Sequence, residues 1–201
     1  MIINGKNMKK RIVLFMLTAI FAITIISCNK DDDNSSTPLP PEKDDVCSAM
    51  DDTKFKEYCL KNFDTNKDGK ISIAEANAVT IIDVGNSSII SLKGIEYFTN
   101  LNGLYCSENQ LTNLDVSKNS ALTSLYCYRN QLTSLDVNKN TALTELYCYN
   151  NQLSVIALNN IFGALPNLVG SSSAPTTLIG DNPGTNSCDK SIAKNKGWNV
   201  F

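Results

Sequence analysis

The sequence predicts an α/β repeat solenoid, and three observations carry that prediction. Leu104-Tyr105-Cys106, Leu125-Tyr126-Cys127 and Leu146-Tyr147-Cys148 recur at an interval of 21 residues. Asn109, Asn130 and Asn151 keep the same interval. Within each triplet the side chains alternate, so a short strand would point Leu104 and Cys106 inward and Tyr105 outward. Self-similarity at such a period marks stacked coils, because one coil cannot bury its own apolar face and a neighbour must cover it.

The chain has 201 residues, and its N-terminal part precedes the repeats. Residues 1–27 hold Lys6, Lys9, Lys10 and Arg11 and no acid. Lys9-Lys10-Arg11 stand before a mostly apolar run from Ile12 to Ile26. A membrane span takes roughly 20 apolar residues, so this shorter run fits a signal peptide. Ile25-Ile26-Ser27-Cys28 resembles the lipobox of bacterial lipoproteins. The resemblance implies that Cys28 is lipidated, becomes the new N-terminus and makes the membrane a partner. Each buried CH₂ of an acyl chain contributes about 0.8 kcal/mol, and stable anchoring takes more than one chain. Asn29-Lys30-Asp31-Asp32-Asp33 resembles the export signal of surface-exposed lipoproteins in some Gram-negative bacteria. It also reads as a solvated charge run. The expected location is the outer membrane, facing the cell surface. Residues 28–45, polar and Pro-rich, predict a disordered tether.

Residues 46–78 predict a helix-loop-helix cap. Asp51, Asp52 and Thr53 can cap a helix whose apolar face is Phe55, Cys59, Leu60 and Phe63. Asp64-Thr-Asn66-Lys-Asp68-Gly69-Lys70-Ile71-Ser72-Ile-Ala-Glu75 then matches the EF-hand loop at every diagnostic position. Asp64, Asn66 and Asp68 offer side-chain oxygens, Lys70 its backbone carbonyl, Ser72 a hydroxyl and Glu75 a bidentate carboxylate. Gly69 permits the sharp turn. Hard Ca²⁺ wants six to eight oxygens, so Ca²⁺ is the expected cofactor. A polar turn between two helices is the plainer alternative. EF-hands usually pair, and this chain has one loop. A structural site with Kd on the order of 10⁻⁵ to 10⁻³ M is therefore expected.

Residues 79–201 predict the repeats and a C-terminal cap. Leu101-x-x-Leu104-x-Cys106-x-x-Asn109-x-Leu111 resembles the leucine-rich repeat, with Cys in the third apolar slot. Leu122 to Leu132 and Leu143 to Leu153 repeat it. Val79-x-x-Ile82-x-Val84 with Ile89 reads as a degenerate first repeat, and Ser91 to Leu101 resembles the internalin type. The resemblance implies short parallel strands on a concave face and a buried Asn ladder. Leu111 to Ser120 is too short for a convex helix. Further on, Ala157 to Leu165 predicts a short helix, and Thr177 to Gly184 a last strand with its own Asn182. Ile192 to Val200 predicts a cap, with Trp198 over the final apolar layer.

Composition excludes several functions. The chain contains no histidine, which removes Ser-His-Asp and Cys-His catalysis and His-ligated metals. From Cys28 onward, 14 basic residues face 20 acidic ones, so nucleic acid is not an expected partner. No nucleophile motif appears, and the clustered carboxylates belong to the calcium loop, so no enzyme is expected. Parallel stacking holds the Cβ atoms of Cys106, Cys127 and Cys148 near the strand spacing of about 4.8 Å, too far for a disulfide. They are expected as free apolar thiols, while Cys47 and Cys59 could pair in an oxidising compartment. The candidate ligand-binding face comprises Tyr105, Tyr126, Tyr147, Tyr128 and Tyr149 with Glu108, Arg129 and Glu145, and Ser107 beside Tyr128. Tyr supplies large amphipathic contact area at low entropic cost, though such rings also stabilise a sheet by stacking across strands. The expected function is adhesion to or interaction with a protein partner. The alternative is a glycan-binding accessory lipoprotein that uses the tyrosines as sugar platforms.

Overall fold

A computed structural model of the chain describes residues 44–172 and 174–201. The signal peptide, Cys28 and the tether up to residue 43 lie outside the described residues. Six short parallel strands form one sheet in sequence order. They are β1 Ile81–Asp83, β2 Gly103–Tyr105, β3 Ser124–Tyr126, β4 Glu145–Tyr147, β5 Thr176–Leu178 and β6 Asn199–Val200. Ile82, Leu104, Leu125, Leu146 and Thr177 share one inward column. Every member is fully buried. The degenerate first repeat is thus β1, with Ile82 in register with Leu104. The fold is an α/β repeat solenoid, and 111–120 forms turns and extended chain as expected.

The strands are too short to hold the coils alone, and asparagine amides do the rest. Asn130 Oδ1 accepts the Leu111 N–H at 3.0 Å, while its amide donates to the Cys106 and Cys127 carbonyls at 3.0 and 3.1 Å. Asn151 makes the same three contacts one coil later. Asn109 and Asn182 extend the ladder at its two ends. Each amide therefore satisfies buried backbone groups of two successive coils, which would otherwise be costly orphans. A second, shorter ladder was missed in the sequence. Asn119 donates to the Ile95 and Phe98 carbonyls, and Asn140 to those of Val116 and Asn119. Their spacing is also 21 residues. The signal was present but lay outside the strand motif.

In chain order the helices are α1 Thr53–Phe63, α2 Ile73–Ala78, α3 Val155–Ala164 and α4 Ser191–Lys194, and beyond Leu153 the connection between strands is longer. That connection holds α3, which begins two residues earlier than expected because Ser154 caps it by accepting the Ala157 N–H. Leu158, Ile161 and Phe162 face the core. Residues 192–200 do more than cap. Trp198 is 2 % exposed and its indole N–H donates to the Pro166 carbonyl, as a cover for the last layer should. The residues after it add β6, with Phe201 N–H donating to Thr177 and its carbonyl accepting from Ile179. An unpaired β5 edge would leave those groups without partners.

At the other end, α1 and α2 cap the array. Asp52 begins α1 by accepting the Lys54 and Phe55 N–H groups, and its second oxygen accepts Ile90 N–H at 2.7 Å. The Tyr58 hydroxyl accepts the Asp83 N–H of β1, and Phe63 packs on Phe98 with ring centroids 5.8 Å apart. Phe55, Cys59, Ile71 and Ala76 join the same core as the repeats. Cys47 and Cys59 are buried free thiols here, without the disulfide that an oxidising compartment could favour.

Candidate functional site

Alternation along β2, β3 and β4 places Tyr105, Tyr126 and Tyr147 in one column on the open face. Tyr126 and Tyr147 stack at 4.3 Å with planes 10° apart, and Tyr128 and Tyr149 at 4.5 Å and 7°. Tyr105 leans on Tyr126 at 4.9 Å and 53°. Its hydroxyl lies over Gly103, where an added Cβ would sit 3.1 Å from it. The strand spacing of about 4.8 Å is close to the centroid separation of paired aromatic rings, so in-register tyrosines stack on each other. Tyr126 thus has a ring on each side and the other four have one ring neighbour each, and all five tyrosines are half-buried. The Tyr126 hydroxyl donates to Glu145 at 2.7 Å, and Ser124 donates to the same oxygen. Burial and this carboxylate together push the Tyr126 phenol pKa up.

The expected exposure of Ser107 beside Tyr128 is corrected: Ser107 is 8 % exposed. A short side chain next to tyrosine does not reach the ring level. Glu108, Arg129 and Asn150 leave the strands in left-handed backbone, at φ 57°, 52° and 53°. Asn86 and Asp181 hold the same position in the flanking coils. Asn and Asp tolerate that conformation, whereas Glu and Arg adopt it at a steric cost. Glu108 and Arg129 are joined by an exposed ion pair of 2.9 Å across neighbouring coils. Sequence reading missed Asp83, which is in register with Tyr105, and Asp181, which precedes Asn182 as Glu108 precedes Asn109. It also missed Leu178, in register with Tyr147, and Phe201, which is 66 % exposed.

Asp64, Asn66, Asp68, Lys70 and Ser72 lie between α1 and α2, and Glu75 stands in the first turn of α2. Lys67 and Gly69 take positive φ of 62° and 80°. Asp64 accepts the N–H groups of Lys67, Asp68 and Gly69, Asn66 accepts that of Asp68, and Asp68 that of Lys70. Glu75 spans the turn: one oxygen accepts the Thr65 N–H and hydroxyl, the other the Ser72 N–H and hydroxyl. Those bonds, the Thr65 hydroxyl foremost, hold its carboxyl down at about 2. Among the described residues no three His, Cys, Asp or Glu side chains converge on one point. The donor set of Asp64, Asn66, Asp68, Ser72, Glu75 and the Lys70 carbonyl contains oxygen only, which fits a hard cation and no thiophilic one. Ile71 is braced where a second loop would pair: its carbonyl accepts Val46 N–H at 2.8 Å and its N–H donates to Asp45 at 3.4 Å.

Together the coils, ladders and column of inward leucines define a leucine-rich repeat solenoid. The functional domain of InlJ from Listeria monocytogenes, described as including a cysteine ladder, is 37% identical to this chain. That match covers 55% of this chain and 25% of the other, with a TM-score of 0.52. The internalin InlF from Listeria monocytogenes is similar in fold, at 24% identity and a TM-score of 0.58. It covers 83% of this chain and 46% of that one. The chain thus spans less than half the length of either neighbour. No family model matches it, and no curated protein does. Cys106, Cys127 and Cys148 form a ladder of buried free thiols here.

Proposed function

We propose that the chain is a non-enzymatic adhesion or interaction module that binds a protein partner through the tyrosine face. One observation carries this reading: five tyrosines stand in two columns across neighbouring coils, and all five remain partly exposed. Sugar stacking needs free ring faces, and here the inner faces are taken up by neighbouring rings. Edges and hydroxyls suit a polar protein surface better, which favours the protein partner over a glycan. In this reading Cys28 carries the lipid anchor, and residues 28–45 hold the module off the outer membrane. The turn 64–75 binds one structural Ca²⁺, with Glu75 exchanging its hydrogen bonds for the ion.

Capture of surface proteins by the wild-type chain and by Tyr126→Ala/Tyr147→Ala is the central test. Partner loss in the double variant, with its fold intact by circular dichroism, is expected; retention of every partner would sink the assignment. Protease shaving of intact cells should degrade the protein if it faces outward, and complete protection would refute that orientation. Calorimetric titration should show one Ca²⁺ bound with Kd on the order of 10⁻⁵ to 10⁻³ M. Equal heats from Glu75→Gln and wild type would remove the site.

A further inference from the structure

We propose that Asp45 is a positioning residue for the calcium turn, aiming the Lys70 carbonyl at the ion through the backbone of Ile71. This rests on the reading of 64–75 as a calcium site and names the segment that completes it. Asp45 belongs to a separate stretch of chain. It caps the 3-10 turn Val46–Ala49, its side chain accepting the Cys47 N–H at 2.9 Å. The same oxygen accepts the Ile71 N–H at 3.4 Å. Beside it the Val46 N–H donates to the Ile71 carbonyl at 2.8 Å. Val46, Cys47 and Ile71 are all buried in the common core, so this junction is held by packing as well.

Peptide planarity turns the two bonds into a constraint on the ligands. In a trans peptide the N–H and the C=O point in opposite directions. Among the described residues no peptide bond is cis. The peptide from Ile71 to Ser72 shows the consequence. Its carbonyl faces Val46, and its N–H donates to Glu75 at 3.0 Å. The peptide from Lys70 to Ile71 has its N–H on Asp45, so its oxygen, the Lys70 carbonyl, points away from Asp45. That oxygen is the one backbone donor of the expected ligand set. The brace that a second loop would give comes, in this one-loop chain, from residues 45 and 46. Asp45 acts through the backbone and is not itself a ligand. Its bond to Ile71 is long, so it tunes the site and does not create it.

The test titrates Ca²⁺ into the full chain by calorimetry, as wild type and as four single variants. Asp45→Ala should raise Kd about fivefold. Asp45→Asn keeps an oxygen acceptor without the charge and should bind within about twofold of wild type. Asp51→Asn, at an exposed acid nearby, should match wild type. Glu75→Gln should lose the heat. Amide exchange read by NMR supplies the reciprocal measurement: Ca²⁺ should slow exchange of the Val46 and Ile71 N–H groups in wild type. Wild-type affinity in Asp45→Ala, or equal weakening by Asp45→Ala and Asp45→Asn, overturns the positioning role while the calcium site stands. Should Asp45→Ala fail to fold, unchanged exchange of Ile71 in Ca²⁺-loaded wild type overturns it as well. No Ca²⁺ heat from wild type overturns both readings.

Discussion

Asparagine decides whether one coil can follow another, because its amide is donor and acceptor at once. Asn130→Ala strands the Leu111 N–H in a dry interior and removes one of the two amide donors from each of the Cys106 and Cys127 carbonyls, which keep Asn109 and Asn151. The expected loss of stability is about 2–4 kcal/mol, read from urea unfolding. Asn140→Ala should cost less, about 1–2 kcal/mol, because its Oδ1 already lacks a partner. The reverse order would contradict the ladder accounting. The buried cysteines act as apolar groups. Desolvation pushes Cys106 and Cys148 up to about 12, so almost no thiolate exists at neutral pH. Iodoacetamide at about pH 8 should therefore spare both until the chain unfolds, and half-buried Cys188 should react before them. Fast labelling of the ladder in the native chain would contradict its burial.

The cap helices meet the repeats through Asp52. Burial alone would raise its carboxyl, but the N–H groups of Ile90, Phe55, Lys54 and Ser91 outweigh that and hold it below the usual carboxylate range. A depressed folded pKa means that the anion stabilises the fold. That contribution is complete above the unfolded carboxylate pKa and disappears as pH falls through the lowered value. Asp52→Asn still caps α1, since asparagine is a good cap, but weakens the link to Ile90. It should lose about 1–2 kcal/mol at neutral pH and show a smaller further loss on acidification than wild type. Parallel pH profiles for the two proteins would remove Asp52 from this role. Helix α3 and strand β6 are also matters of this scale. Their residues were readable as a helix and a cap, but the pairing of Phe201 with β5 was not, because it joins segments with no shared motif.

As a whole molecule the repeats behave as interchangeable layers, each contacting its neighbours. Excision of residues 112–132 joins Leu111 to Thr133 and restores the Gln-Leu-Thr sequence at the seam. Asn109 and Asn151 would then become neighbours in the ladder. The shortened chain should fold and unfold cooperatively with lower stability, checked by circular dichroism and urea melts. Removal of ten residues from the same place would put leucines and tyrosines out of register and should abolish folding. Equal behaviour of the two deletions would mean that the coils are not the structural unit.

The sequence by itself determined the period, the strand positions, the inward leucines and cysteines, the first asparagine ladder and the oxygen-rich turn. Each is a local pattern in which residue spacing alone sets the face or the donor. Tertiary structure decided the rest. Stacking in register covered the inner tyrosine faces, and buried Ser107 beside its larger neighbour. It also brought Asp83 of β1 and Glu108 beyond β2 to one depression. These outcomes depend on the roughly 4.8 Å gap between neighbouring strands and on what stands in the next coil, which no single repeat contains.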